Sequence, residues 1–263
     1  MNFKPLLFFC LLICFSCDNT ATSSGNKLKS NQSNNVKLPD KNPFSSISNI
    51  PVPQGYSRIP ADSSSFAGWL RNVGLKENKM VYLFDGRPKL NQMAQFAVLD
   101  ISVPAKDLQQ CADAVMRLRA EYLFAEKKFD TISFTDNDNT VYAFHAPYTK
   151  ENFMHYMETV FGMCGSASLS KQLKTVADFS TVVPGDVLIR GGFPGHAVIV
   201  MDVATNAEGK KIFMLAQSYM PAQDIHLLIN PASDTLSPWY EVKETQKIIT
   251  PEYLFYKTEL KRW

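Results

Sequence analysis

The chain has 263 residues, 45% hydrophobic and 20% charged, with a formal net charge of +2. That balance is globular and excludes a fibrous or wholly disordered protein. The basic residues form no long run and no stripe, which argues against nucleic acid as a partner.

The N-terminal stretch "MNFKPLLFFCLLICFSC" carries one lysine and then an apolar run ending at Ser16-Cys17. It is shorter than the roughly 20 residues a membrane span needs. Residues 1–17 are therefore predicted to be a secretory signal outside the fold. A small residue directly before a cysteine resembles a bacterial lipobox, although Cys14 and Phe15 replace the usual aliphatic and small residues. The resemblance implies cleavage before Cys17, a lipid on its thiol, attachment to a membrane through that lipid, and a place in the cell envelope. Residues 18–50 are rich in Ser, Asn, Thr and Lys and are predicted to form a flexible tether. The remainder, 51–263, is of a size for one domain. Cys111 and Cys164 then remain in the mature body, where they could form a disulfide or leave one reactive thiol.

"SSFAGWLRNVGL" begins with serine caps and spaces Phe66, Trp69, Leu70 and Val73 as a short helix. "MVYLF" is predicted to be a strand running into the turn Asp85-Gly86. "QFAVLDISV" is a second, β-branched strand. "AKDLQQCADAVMRLRAEYLFAEKK" is the strongest helical signal, with Leu108, Cys111, Val115, Leu118 and Tyr122 on one face and Asp107 as its N-cap. A hairpin is predicted around Asp138-Asn139, and "KENFMHYMETVFGMCG" is a helix stopped by glycine. "GDVLIRGG", "HAVIVMDVAT" and "KIFMLAQSYM" are three strands, the last two joined by the turn "NAEG". One long helix followed by a meander of strands, without βαβ alternation, predicts an α+β fold with a central helix packed on an antiparallel sheet.

Within this order three residues carry a candidate chemistry. Cys111 lies in the first turns of the long helix, whose positive end is expected to favour thiolate. His196 opens a strand behind the loop Arg190-Gly191-Gly192-Phe193-Pro194-Gly195, glycine-rich enough for a substrate backbone to approach. Gln217, near the end of the next strand, falls roughly opposite position 196 if the turn centres on Ala207-Glu208. A register slip offers Ser218 or Tyr219 instead. An imidazole beside a thiol can pass its proton to a leaving group, a polar side chain can fix the ring tautomer, and helix N–H groups can hold an oxyanion.

Gly185-Asp186-Val187, then His196 with its run of Val and Ile, then a polar residue on the following strand, resembles the NlpC-type papain-like cysteine peptidases over about residues 105–225. The resemblance implies a papain-like core, Cys111 as nucleophile, His196 as base, Gln217 as orienter, and an amide bond in cell-wall peptide as the target. Asp186 would hold its turn rather than react. Two features depart from that pattern. Ala112-Asp113 follow the cysteine where a small or hydroxylated residue and glycine are usual, and Gln217 replaces His, Asn, Asp or Glu. The segments "QQCADAVMRLRAEYL" and "LAQSYMPAQDIH" also resemble an uncharacterised family of Bacteroidetes-type lipoproteins, a domain of unknown function.

Each of these residues also has a plainer reading. Cys111 sits on an apolar helix face, where free cysteine is usually core. His196 can be a packed histidine, and His145, His155 and His226 have no matched partners. Gln223 and Asp224 are further candidates for the orienting group. "DNDN" at 136–139 lacks the glycine and downstream Glu of a calcium loop. No Cys/His cluster has zinc spacing, so no metal or cofactor is expected. Two functions follow: an exported thiol hydrolase or acyl transferase, or a binding or scaffold lipoprotein that performs no chemistry.

Overall fold

A computed structural model describes residues 41–241 and 246–263. The predicted signal, Cys17 and most of the predicted tether lie outside the described residues.

The elements follow in chain order. Strand β1 (Tyr56–Arg58), helix α1 (Phe66–Arg71), β2 (Gln95–Val98) and α2 (Cys111–Ala125) come first. The hairpin β3 (Ser133–Thr135) and β4 (Val141–Ala143) leads to α3 (Lys150–Met163), α4 (Ser166–Gln172) and β5 (Lys174–Thr175). Then come β6 (Val187–Arg190), β7 (His196–Asn206), β8 (Lys211–Gln217) and β9 (His226–Leu228). Four short strands finish the chain: β10 (Trp239–Glu241), β11 (Lys247–Ile249), β12 (Leu254–Tyr256) and β13 (Leu260–Arg262).

The result is a mixed α/β protein built on an antiparallel sheet ordered β2-β9-β8-β7-β6-β13-β5, with β1 pairing with β7 and β10 with β8. β7 is the spine. Its β-branched run is buried along nearly its whole length, because both faces of the sheet are covered. Side chains alternate across a strand. Ala197, Ile199 and Met201 join Val115, Leu118 and the rest of the helix-side core, while Val198 and Val200 join Phe213, Leu215 and Phe255 on the other side. Helix α2 packs its apolar face on the first of these surfaces. The β11–β12 hairpin lies over the second.

The body starts earlier than residue 51. Ile47 and Ile50 are fully buried, and Arg58 Nη2 donates to both of their carbonyl oxygens, at 3.3 and 2.7 Å. The predicted tether therefore ends too late. Phe44, Ile47 and Ile50 supply apolar surface that the Ser/Asn-rich composition masked. Asp202 fixes this N-terminal segment on β7. Fully buried, it accepts from Arg58 Nε and Arg71 Nε, each at 2.6 Å. "MVYLF" forms no regular strand; it makes isolated bridges at Tyr82↔Pro88 and Leu83↔Gln223 around the turn at Gly86.

Candidate active site

Helix α2 begins at Cys111, three residues later than a cap at Asp107 would require. Gln110 is the N-cap, and its backbone N–H donates to Asp113 Oδ2 at 2.9 Å, half of a capping box. Asp107 is instead committed across the chain. Its Oδ1 accepts from the backbone N–H of Ala222 at 2.6 Å and from Gln110 Nε2 at 3.2 Å. Ser218 ties the same corner down, with Oγ 2.9 Å from the carbonyl oxygens of both Gln109 and Gln223. The cysteine is thereby the first residue of a long helix, anchored to the ends of β8 and β9.

Cys111 is 7% exposed and opens onto a groove of about 460 Å³. The end of α3 and the loop Gly192–Gly195 form its walls. Three exposed apolar side chains, Met163, Phe193 and Met220, stand on the rim. Cys164 lines the same groove, and both cysteines are free thiols. The loop glycines serve packing as much as access. A Cβ on Gly195 would lie 2.3 Å from Ser166 Oγ and 2.5 Å from the Gly192 carbonyl oxygen, so only glycine lets the loop settle on α4. Gly192, at φ +122, faces open space.

The helix dipole does not make Cys111 acidic. Burial, and next the Asp113 carboxyl, push its pKa up to about 11. The backbone N–H groups of Ala112, Ala197 and Cys111 itself pull the other way and are outweighed. Asp113 is buried too, its Oδ1 lacks a partner among the described residues, and burial holds its carboxyl well above the ordinary range. Burial likewise raises Cys164 to about 11.

His196 and Gln217 do come together. The imidazole is 2% exposed, and its Nε2 lies 2.9 Å from Gln217 Oε1. The register Ile199↔Ala216 places Gln217 beside Val198, so it reaches His196 diagonally rather than from directly opposite. A bulge between Val200 and Asp202 shifts the pairing from the simple turn count. Tyr219, Tyr253 and Phe255 surround the ring, with centroids at 4.8, 4.9 and 5.8 Å. Burial pushes the His196 pKa down to about 4; Gln217 and Glu252 act upward and Lys89 downward.

Cys111 and His196 flank the head of β7 from different sides. The sulfur faces Ala197, on the helix side of the sheet. The imidazole packs against Phe255, on the other side. Among the described residues no hydrogen bond joins them. Tyr219 stands between the two: its ring lies against His196, and both Cys111 and Glu252 act on its phenol, whose pKa burial raises.

Sequence reasoning missed the groups behind Gln217. Gln217 Nε2 donates to Glu252 Oε2 at 2.8 Å, Lys89 Nζ donates to the same oxygen at 2.7 Å, and Asn91 Nδ2 donates to Glu252 Oε1 at 3.1 Å. The other candidate orienters are engaged elsewhere. Asp224 pairs with Lys76 and accepts from the Tyr82 N–H, and Gln223 Nε2 donates to the Pro221 carbonyl. His226 is fully buried with Nδ1 2.9 Å from the Asp224 carbonyl oxygen. Asp186 holds its turn, accepting from the Val183 N–H at 3.0 Å and from Arg262 at 2.6 and 2.7 Å.

Fold and site thus define a mixed α/β protein with a thiol at the start of a helix, a groove before it, and a buried histidine–glutamine pair on the other side of β7. The family profile described as Domain of unknown function (4846) matches residues 47–146 and 135–262, and the chain belongs to that uncharacterised family. No NlpC-type or papain-like family matches it. No curated protein and no solved structure matches the chain.

Proposed function

We propose that this protein is an exported, lipid-anchored thiol hydrolase or acyl transferase with a papain-like core, acting on amide bonds of peptides. Cell-wall peptide is the substrate the sequence resemblance implies, and Cys17 is the proposed lipid attachment point. The observation that carries the reading is the placement of Cys111, the first residue of α2, on a groove whose Gly192–Gly195 wall leads directly into His196.

The resting site is neutral: an un-ionised Cys111 thiol on one side of β7 and an unprotonated His196 imidazole on the other, with Tyr219 against the ring. In the proposed step the Cys111 thiol gives its proton to the Tyr219 hydroxyl, which gives its own to His196, as the sulfur bonds to the substrate carbonyl carbon and the carbonyl π pair moves onto oxygen. N–H groups at the start of α2 stabilise that oxyanion. The C–N bond then breaks, the nitrogen leaves with the proton from His196, and an S-acyl enzyme remains. Water gives its proton to His196 while its oxygen attacks the thioester. The sulfur leaves and recovers a proton, releasing acid; an amine in place of water completes acyl transfer.

A second reading is a scaffold or binding lipoprotein without chemistry. The burial that holds Cys111 near 11 and His196 near 4 favours it. Iodoacetamide labelling of Cys111 in a Cys164→Ala background separates the two. Labelling that is rapid between pH 6 and 8 and lost in His196→Ala supports the enzyme. Slow labelling that climbs with pH toward 11 and ignores the His196 substitution supports the scaffold. Among the described residues no helix is long and apolar enough to cross a membrane. Lipidation is checked separately, by the mass of the mature N-terminus.

A further inference from the structure

A glutamine can present either end of its amide, and its two ends ask opposite things of a neighbouring histidine. An oxygen toward Nε2 requires that nitrogen to carry the proton and leaves Nδ1 as the basic site. An amide nitrogen toward Nε2 requires the reverse tautomer. Gln217 therefore has a choice that His196 cannot make for it.

Glu252 removes that choice. An ionised carboxylate only accepts, so the end of Gln217 that meets it at 2.8 Å must be the amide nitrogen. The carbonyl oxygen is then the end 2.9 Å from His196 Nε2. Glu252 is itself held, largely buried, by Lys89 at 2.7 Å on one oxygen and by Asn91 at 3.1 Å on the other. The ammonium is the ion-pair partner of this carboxylate, which therefore meets Gln217 as an acceptor. Three links thus run from Lys89 to the ring, and each dictates the donor sense of the next.

We propose that Glu252, clamped by Lys89, is a positioning residue that locks the Gln217 amide so that His196 carries its proton on Nε2 and keeps Nδ1 as the basic nitrogen. The inference rests on the hydrolase reading for its importance, since a scaffold has no use for one tautomer over the other. The tautomer itself is measurable whether or not Cys111 reacts.

The test is long-range ¹H–¹⁵N correlation of the imidazole in ¹⁵N-labelled mature protein, with iodoacetamide labelling of Cys111 beside it. The wild type should show a single Nε2–H tautomer. Glu252→Ala should introduce the Nδ1–H form and slow His196-dependent labelling at least tenfold. Glu252→Gln, which keeps an oxygen able to accept from Gln217, should retain the wild-type tautomer. Glu252→Ala strands a buried ammonium, so the double variant Lys89→Met/Glu252→Ala is made alongside it and should shift the tautomer in the same way. An Nδ1–H wild type overturns the proposal, and so does an unchanged tautomer in both alanine variants. The expected tautomers together with labelling that ignores His196 would sink the hydrolase reading and leave the lock standing.

Discussion

Gln217 and His196 sit on neighbouring antiparallel strands and meet diagonally, the glutamine carbonyl oxygen 2.9 Å from the imidazole Nε2. Both side chains are essentially buried, so neither can turn to water for a replacement partner. Gln217→Leu keeps the approximate volume and removes both of its hydrogen bonds. The ring N–H and one Glu252 contact are then unsatisfied, at a cost of about 1–3 kcal/mol. Urea unfolding at pH 7 should show that loss as a lower midpoint with an unchanged slope. A midpoint equal to wild type would mean that the pair contributes nothing to the fold.

Acid should destabilise the protein through its two buried histidines. His196 is held at about 4 and His226 at about 3, both below the unfolded value of 6.5 and both by burial first. Between those values the unfolded chain binds protons that the folded chain refuses. Stability is therefore fully present above about pH 6.5 and lost as pH falls toward 4, by about 3 kcal/mol for His196 alone. Lys89 works with burial at His196, while Gln217 and Glu252 oppose it. His196→Gln puts an amide where Nε2 was and removes the titration. His226→Asn does the same for Nδ1. Each variant should flatten the fall in unfolding free energy between pH 6.5 and 4, and a profile parallel to wild type would show that burial does not hold the rings neutral.

The contrast between what was and was not legible has a physical pattern. Local chemistry was readable: α1 with its Ser65 cap, the β3–β4 hairpin at Asn139, the β6–β7–β8 meander and the long helix. Each is set by residues within a few positions of one another. Features decided by distant partners were not readable. Asp107 is a better intrinsic N-cap than Gln110, yet its oxygen is taken by Ala222, so the helix starts later. Lys89 and Glu252 lie 163 positions apart, and nothing local marks either as a partner of His196. The side taken by the imidazole was hidden as well. "HAVIV" is apolar at all four positions after the histidine, and a strand covered on both faces carries no alternation to tell them apart.

Asp202 should be the least replaceable charge in the body. It is fully buried on β7 and accepts from Arg58 and Arg71, which arrive from separate elements near the N-terminus. Asp202→Ala leaves two partly buried guanidinium groups without their counter-charge, a change that costs about 3–5 kcal/mol. Thermal or urea unfolding measures it. The damage should be greatest in the segment from Ile47 to Arg71, so amide exchange there should rise before exchange in β8. A loss below about 1 kcal/mol, the range of a surface pair, would contradict this placement.

The rim of the groove gives a prediction that separates binding from folding. Phe193 is 94% exposed at the tip of the Gly192–Gly195 loop, with Met163 and Met220 also on the rim. A solvated ring contributes little to the folded state, so Phe193→Ala should move stability by no more than about 0.5 kcal/mol. Its apolar surface is instead placed to receive part of whatever enters toward Cys111. In a Cys164→Ala background, N-benzylmaleimide should label Cys111 faster than N-methylmaleimide does, because the benzyl group gains apolar contact at the rim. Phe193→Ala should reduce that ratio several-fold while leaving the N-methylmaleimide rate nearly unchanged. The small reagent reports access to the sulfur and the aromatic one reports contact with the rim. If both rates fall together, the loop controls entry; if neither changes, ligands reach the thiol by a path that does not pass Phe193.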